Sequence, residues 1–335
     1  MNYINRLRNI LCVLLAIVTC LTLCACSNAG GNSLTDVEAE AQKQARSGGH
    51  AEKKQNVERF LYFTDPHYID PNGWVAQYSD DLDTIATYYN VYPLSFVLCG
   101  GDWIYKEDTK LNACNMLLQV KARMTELFGD DYHLVLGNHD TNYQGQLNRY
   151  SKEYTGQLSH QTIVDLWYDE EGNTYYSFKG DCTTFYVFDT GIDWNHTSLD
   201  AFDLEQIEWY LDMLDKSNDA HIAISLHMLY VTDNDIHPLT STLAAISVAY
   251  NERSTFFFGG NEYDFSKKRG QVEFMIAGHS HLDIQGELLG IPYIVTRSTG
   301  AVGHPNFDIV AVDYDSGVLY TSRIGQGEDR KIPLK

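Results

Sequence analysis

Short apolar runs recur along the chain from Arg59 onward, and each ends on residues with chemistry to offer. Phe60-Leu61-Tyr62-Phe63 leads to Thr64-Asp65, and Leu94-Ser95-Phe96-Val97-Leu98-Cys99 leads to Gly100-Gly101-Asp102. His133-Leu134-Val135-Leu136 leads to Gly137-Asn138-His139-Asp140, Ile222 to Leu226 leads to His227, and Phe274-Met275-Ile276-Ala277 leads to Gly278-His279-Ser280-His281. Runs of this length and composition predict buried strands. Between them the period changes to that of a helix. Ala113, Leu117, Val120, Met124 and Leu127 share one helical face, which Gly129 ends. Leu204, Ile207, Leu211 and Leu214 form another stripe behind Asp203, a candidate N-cap with Gln206 three residues on. Strand alternating with helix predicts crossovers and a layered α/β fold. Tyr175 to Phe178 with Thr183 to Phe188, and Phe307 to Tyr314 with Val318 to Arg323, read as hairpins, so the sheets are expected to be mixed.

The first 57 residues follow neither period. Arg6 and Arg8 precede an apolar stretch from Ile10 to Ala25, too short for a bilayer-spanning helix and laid out as an export signal. Leu23-Cys24-Ala25-Cys26 resembles the bacterial lipobox, whose final cysteine is acylated and becomes the first residue after cleavage. The expectation is a signal peptide over 1–25, a lipidated tether over 26–57 anchored to a membrane through Cys26, and a domain over 58–335 outside the cytoplasm. Residues 27–57 lack aromatics and are rich in polar residues, so they cannot bury enough surface to fold. A coil of that length reaches about 30 Å.

Charge narrows the partners. The chain carries a net −21, which repels nucleic acid and anionic lipid at long range and disfavours action on polymeric DNA. Cys99, Cys114 and Cys182 are odd in number without CxxC spacing, so no disulfide framework is expected and core packing is their expected role.

The strand ends supply the candidate chemistry. Asp65 with His67, Asp102, Asn138 with His139, His227, and His279 with His281 each follow a strand-like run. In open α/β sheets the carboxyl ends of strands form one edge, where sites are built. Carboxylate, imidazole and amide oxygen suit Mn, Fe or Zn, the absence of thiolates argues against a closed structural zinc site, and the number of ligands suggests two ions.

Taken in order, Asp65-Pro66-His67, Gly101-Asp102, Gly137-Asn138-His139-Asp140, His227 and Gly278-His279-Ser280-His281 resemble the motif set of the calcineurin-like metallophosphoesterase superfamily. The resemblance covers residues 58 to about 325. It implies a four-layer α/β/β/α sandwich of mixed sheets with a dinuclear centre of divalent or trivalent ions at one edge. It further implies that Asp65, His67 and His281 hold one ion, that Asn138, His227 and His279 hold the other, and that Asp102 bridges them. His139 then faces the substrate, oriented by Asp140, while a hydroxide between the ions attacks the phosphorus of a small phosphate mono- or diester. Asp102-Trp103-Ile104-Tyr105 also fits the purple acid phosphatase branch, in which the tyrosine ligates iron. His67 already fills that place, so packing or support is the expected role of Tyr105. A catalytically inactive binding protein on the same scaffold is the alternative, and it gives no reason for His139 and Asp140 beside a full ligand set. The aromatic and glycine-rich stretch Tyr250 to Gly260 is expected either to line a substrate cleft or to pack on the core.

Overall fold

In the computed structural model, the described residues are 56–67, 75–105, 109–142, 156–168, 172–190, 199–232, 235–301 and 303–335. The signal, Cys26 and most of the tether lie outside them. β1 spans Val57–Phe63, so pairing begins at the residue that the sequence reading placed last in the tether. Among the described residues no helix is long and apolar enough to cross a membrane.

Two six-stranded mixed sheets carry the fold. The first has the order β16-β15-β14-β1-β2-β3 and uses β2 (Phe96–Cys99), β3 (Tyr132–Leu134), β14 (Phe307–Asp313), β15 (Val318–Ile324) and β16 (Arg330–Pro333). Its β1, β2 and β3 are parallel, and β14 runs antiparallel to β1. The second has the order β12-β13-β11-β6-β5-β4, with β4 (Tyr176–Lys179), β5 (Thr183–Phe188), β6 (His221–Leu226), β11 (Gln271–Ala277), β12 (Ile284–Leu288) and β13 (Ile291–Val295). There β5, β6, β11 and β13 are parallel. Both expected hairpins form, β4 with β5 and β14 with β15, and a short pair joins β7 (Tyr230–Thr232) to β8 (Asp235–Ile236).

Three apolar layers hold the sandwich together. Between the sheets lie Phe60, Tyr62, Phe96, Leu98, Phe185, Val187, Phe274 and Ile276, among others, with Phe60 stacked on Phe96 at 5.0 Å. Residues of alternate parity on the same strands face outward, as the two-residue period of a strand requires. Leu61, Phe63 and Val97 meet α1 (Val75–Val91), α2 (Lys110–Phe128) and α3 (His160–Trp167). Tyr186, Phe188, Ile222 and Ile224 meet α4 (Ala201–Lys216) and α5 (Pro238–Asn251). The result is the four-layer α/β/β/α arrangement.

Several local expectations change. Gly129 does end α2, with φ 65°, but Asp203 is not the cap of α4. Asp200 is the cap, and Asp203 closes a capping box from the third helical position, because its carboxylate accepts the Asp200 N–H. Gln206 is buried and bonds both the N–H and the carbonyl of Asp189, each at 2.8 Å. Cys99 lies in the core, whereas Cys114 and Cys182 are half-buried. Tyr250 to Gly260 forms the end of α5 and β9 (Thr255–Phe258), which pairs with β10 (Asn261–Asp264). Asn251 bonds the main chain of Val272 near the start of β11, so this stretch sits roughly 20 Å, the length of that strand, from Gly278. It packs on the outer core, at the other end of β11 from Gly278-His279-Ser280-His281.

Candidate metal centre

All five predicted strand ends come together. β1, β2 and β3 deliver Asp65, Asp102 and Asn138 from one sheet, while β6 and β11 deliver His227 and His279 from the other. Loop hydrogen bonds fasten the two edges. Asp65 N–H donates to Gly101 O (2.9 Å), His67 N–H to Asp102 O (3.0 Å) and Gly278 N–H to His227 O (3.0 Å). The backbone bends sharply to bring the side chains inward: Asp65, His67, Asp102, His279 and His281 all have φ between 50° and 69°. Non-glycine residues adopt this left-handed region at a cost, which the surrounding bonds must hold in place.

Three clusters of donor atoms result: Asp65, His67 and His281; His67, Asp102 and His139; and Asp102, His227 and His279. His281 Nε2 lies 3.3 Å from Asp65 Oδ1, His227 Nε2 lies 3.2 Å from Asp102 Oδ2, and His67 Nε2 lies 3.9 Å from Asp102 Oδ2. Ligands bound at about 2.0–2.2 Å to one ion are separated by about 3 to 4 Å, so these spacings suit shared metals.

A direct test of fit is whether buried polar atoms lack partners. Asp65 Oδ1, Asn138 Oδ1 and His227 Nε2 are out of water without a hydrogen bond, although buried polar groups are nearly always bonded. The other polar atoms of Asp65 and His227, and one oxygen of Asp102, are committed elsewhere. Asp65 Oδ2 accepts from the Thr64 hydroxyl (2.7 Å) and from His279 N–H (3.0 Å). Asp102 Oδ1 accepts from His139 N–H at 2.8 Å. His227 Nδ1–H donates to Gly100 O at 2.6 Å, which turns the Nε2 lone pair into the site. The donor set therefore fits cations.

Electrostatics agree. Burial opposes ionisation of Asp65 and Asp102, yet His227 and its neighbouring imidazoles hold both carboxyls below their ordinary range. Burial also disfavours a charged His227, but Asp102 and Asp65 overcome it and raise the ring to about 10, so a metal taken at Nε2 has to displace a proton that the two carboxylates favour there. His67 and His279 are pushed down to about 4, chiefly by burial, and so present neutral rings, the form that ligates.

Asp140 does not take the place beside His139 that the family resemblance implies. Its carboxylate does not reach His139. It is fully buried and accepts from the main-chain N–H groups of Asp102 (3.0 Å), Trp103 (2.7 Å), Ile104 (3.2 Å) and Gly137 (2.8 Å). Asp140 thus shapes the loops that carry Asp102 and Asn138. His139 is oriented instead by Tyr105, whose carbonyl accepts from Nδ1 and whose ring stacks on the imidazole at 5.2 Å. No motif signals a carbonyl, which is why sequence reasoning missed it. Thr64, Ser298 and Thr299 were missed likewise; the last two hydroxyls donate to Asp65 O (2.8 Å) and Thr64 O (2.9 Å).

The sequence profile of calcineurin-like phosphoesterases matches residues 58–283. A dimetal phosphatase from Danio rerio shares the fold, at 15% identity and a TM-score of 0.56, over 83% of this chain and 99% of that one. GAP50, described as the anchor in the inner membrane complex of Plasmodium, aligns at 13% identity and a TM-score of 0.46, over 83% of this chain and 89% of its own. A search of curated protein sequences returns no significant match. With the profile spanning every strand-end motif through Gly278-His279-Ser280-His281, the chain belongs to the calcineurin-like phosphoesterase family.

Proposed function

We propose that this metal-dependent phosphoesterase hydrolyses small phosphate mono- or diesters at a dinuclear centre, outside the cytoplasm. The observation that carries the reading is the convergence of Asp65, His67, His227, His279 and His281 around the Asp102 carboxylate, where Asp65 Oδ1 and His227 Nε2 are buried without a hydrogen bond. In this reading Asp65, His67 and His281 hold one ion, Asn138, His227 and His279 hold the second, and Asp102 serves both. Nitrogen and oxygen donors of this mixture suit Mn, Fe or Zn. Two bound ions supply Lewis acidity, lowering the pKa of water and clamping the attacking and leaving oxygens.

The chain's own groups supply position and proton. Asp65 and Asp102 bring the negative charge that retains the ions. His139 is held by the Tyr105 carbonyl through Nδ1, so Nε2 is the nitrogen available to substrate, and its side chain is 27% exposed. There it stabilises charge developing on the phosphoryl group or protonates the leaving oxygen.

Elemental analysis together with turnover of aryl mono- and diesters tests the reading. Two metals per chain are expected. Asp102→Ala should lose at least one of them along with activity, and retention of both ions at a near-normal rate would refute the dinuclear assignment. His139→Ala should keep its metals and lose about 10²–10⁴-fold in kcat, more for esters with poor leaving groups. Since His139 Nε2 lies 3.9 Å from Asp102 Oδ2, loss of metal in this variant would instead make it a ligand. The location is tested separately: Cys26→Ser should abolish membrane partition while leaving the purified domain active.

A further inference from the structure

One strand of the second sheet ends at the same edge without being used by the motif set. β5 and β6 are parallel and in register up to Phe188 opposite Leu226, so Asp189 and His227 come next, side by side, at the roughly 4.8 Å spacing of neighbouring strands. The strand period puts both on the inner face. Phe185 and Val187 on β5, like Ala223 on β6, belong to the layer between the sheets, and Asp189 and His227 continue those rows. The Asp189 main chain is clamped on both sides by Gln206, and Thr190 Oγ1 accepts from the N–H of Met228, the residue after His227.

The Asp189 side chain is fully buried, and its Oδ2 lies 3.0 Å from Nε2 of His160, which is 29% exposed. His160 begins α3, and the segment before it is tied to the loop that bears Asn138 and His139. Leu158 N–H donates to Thr141 O (2.8 Å), and Asn142 Nδ2 donates to Gly156 O (3.0 Å). Phe202 covers one side of the His160 ring, with centroids 4.1 Å apart. An imidazole with one nitrogen on a buried carboxylate has its orientation fixed, and a second N–H, when present, carries charge stabilised by that carboxylate. Such a pair beside a phosphoester site is placed to meet an anion.

We propose that His160 is a substrate-contacting residue that donates from Nδ1 to an oxygen of the phosphate ester on the His227 side of the centre, with Asp189 as its positioning residue. The inference rests on the phosphoesterase reading above. It makes the site a pair of imidazoles, His139 and His160, approaching the ester from different loops. A charge-assisted hydrogen bond of this kind corresponds to about ten- to hundredfold in binding or rate.

The test compares wild type with His160→Ala, His160→Gln and Asp189→Asn, all metal-loaded, by aryl phosphate kinetics, calorimetric binding of inorganic phosphate, elemental analysis and thermal melting. The expected result is a ten- to hundredfold fall in kcat/KM for His160→Ala and a weaker phosphate Kd, with metal content and melting temperature close to wild type. Asp189→Asn should show the same direction, and adding it to His160→Ala should cost little more, because the two act as a unit. Equal phosphate Kd in wild type and His160→Ala would overturn the contact, whatever the turnover. Loss of metal in His160→Ala would also overturn it, by showing that the residue supports the ligands instead. Absence of turnover in the wild type alone would sink the phosphoesterase reading, while the phosphate titration would still decide the role of His160.

Discussion

Gly137 and Gly278 show how little freedom the site leaves to single residues. A Cβ on Gly137 would overlap the backbone nitrogen and carboxylate of Asp102, and one on Gly278 would overlap the Thr64 hydroxyl. Backbone cannot retreat as a flexible side chain can. Gly137→Ala should therefore displace the Asp102 loop and cost about 1–3 kcal/mol of stability, together with metal content. Thermal melting and elemental analysis of the same sample check this; a variant with unchanged metal stoichiometry and melting temperature would show that the close approach is not required. The residue types of the centre were legible in the sequence because carboxylate, imidazole and amide carry metal chemistry wherever they sit. Their supports were not. Asp140 looked like a partner for His139 because it is next in sequence, but its side chain turns under four main-chain N–H groups.

At the scale of elements, β3 carries an unusual burden. His133 stacks on Phe178 at 3.4 Å and meets the edge of Phe96, so burial holds its ring at about 4, below the ordinary imidazole value near 6.5. The folded chain then binds fewer protons than the unfolded chain between those two values, and stability falls as pH drops from about 6.5 towards 4. His133→Phe removes that dependence. We expect the melting temperature of the variant to gain on wild type by a few degrees over this range, in metal-loaded protein followed from pH 7 to pH 4. Parallel melting curves with no growing gap would contradict it. The strands that end in the motifs, the two hairpins and helices α2 and α4 were readable in the sequence, whereas α1, α3, α5, β7 to β10, β12, β13 and β16 were not. β12 and β16 are edge strands that alternate in burial, but Gly286 interrupts the apolar pattern of the first and Arg330 fills a buried position of the second, so the alternation does not show in hydropathy. The cap of α4 was misplaced by one turn because Asp200 and Asp203 are both acceptable caps until the capping box decides.

For the whole molecule, the central question is what keeps two sheets in register so that ligands from both can meet. At one end Glu58 of β1 accepts from the N–H groups of Cys182 and Thr183, at 2.8 and 3.0 Å, across the sandwich. Nearer the site, the buried Asp308 of β14 receives Arg323 Nε (2.9 Å), Arg330 Nη2 (2.5 Å) and the Thr296 hydroxyl (2.7 Å), and Arg330 also donates to Val295 O of the second sheet at 3.0 Å. Removing Asp308 would leave Arg330 buried without its carboxylate and Arg323 with Asp283 in place of two carboxylate partners. Asp308→Ala should cost about 3–5 kcal/mol, and by loosening the second sheet against the first it should weaken metal retention. Denaturant unfolding and a chelator titration would read the two effects, and an unchanged midpoint would show that the network is replaceable.

Apolar period and ligand chemistry are local properties of the chain, so the alternation of strand and helix, the layered class, and the identity and order of the strand-end residues could all be read from residue order alone. Which polar atom of each residue faces the centre was decided only in three dimensions. The left-handed bends at Asp65, His67, Asp102, His279 and His281 depend on loop bonds from distant segments. The choice of Tyr105 over Asp140 to hold His139 depends on where the chain returns after β2. The place of Asp189, which holds His160, beside His227 depends on the parallel register of β5 and β6, and no spacing along the chain encodes that register.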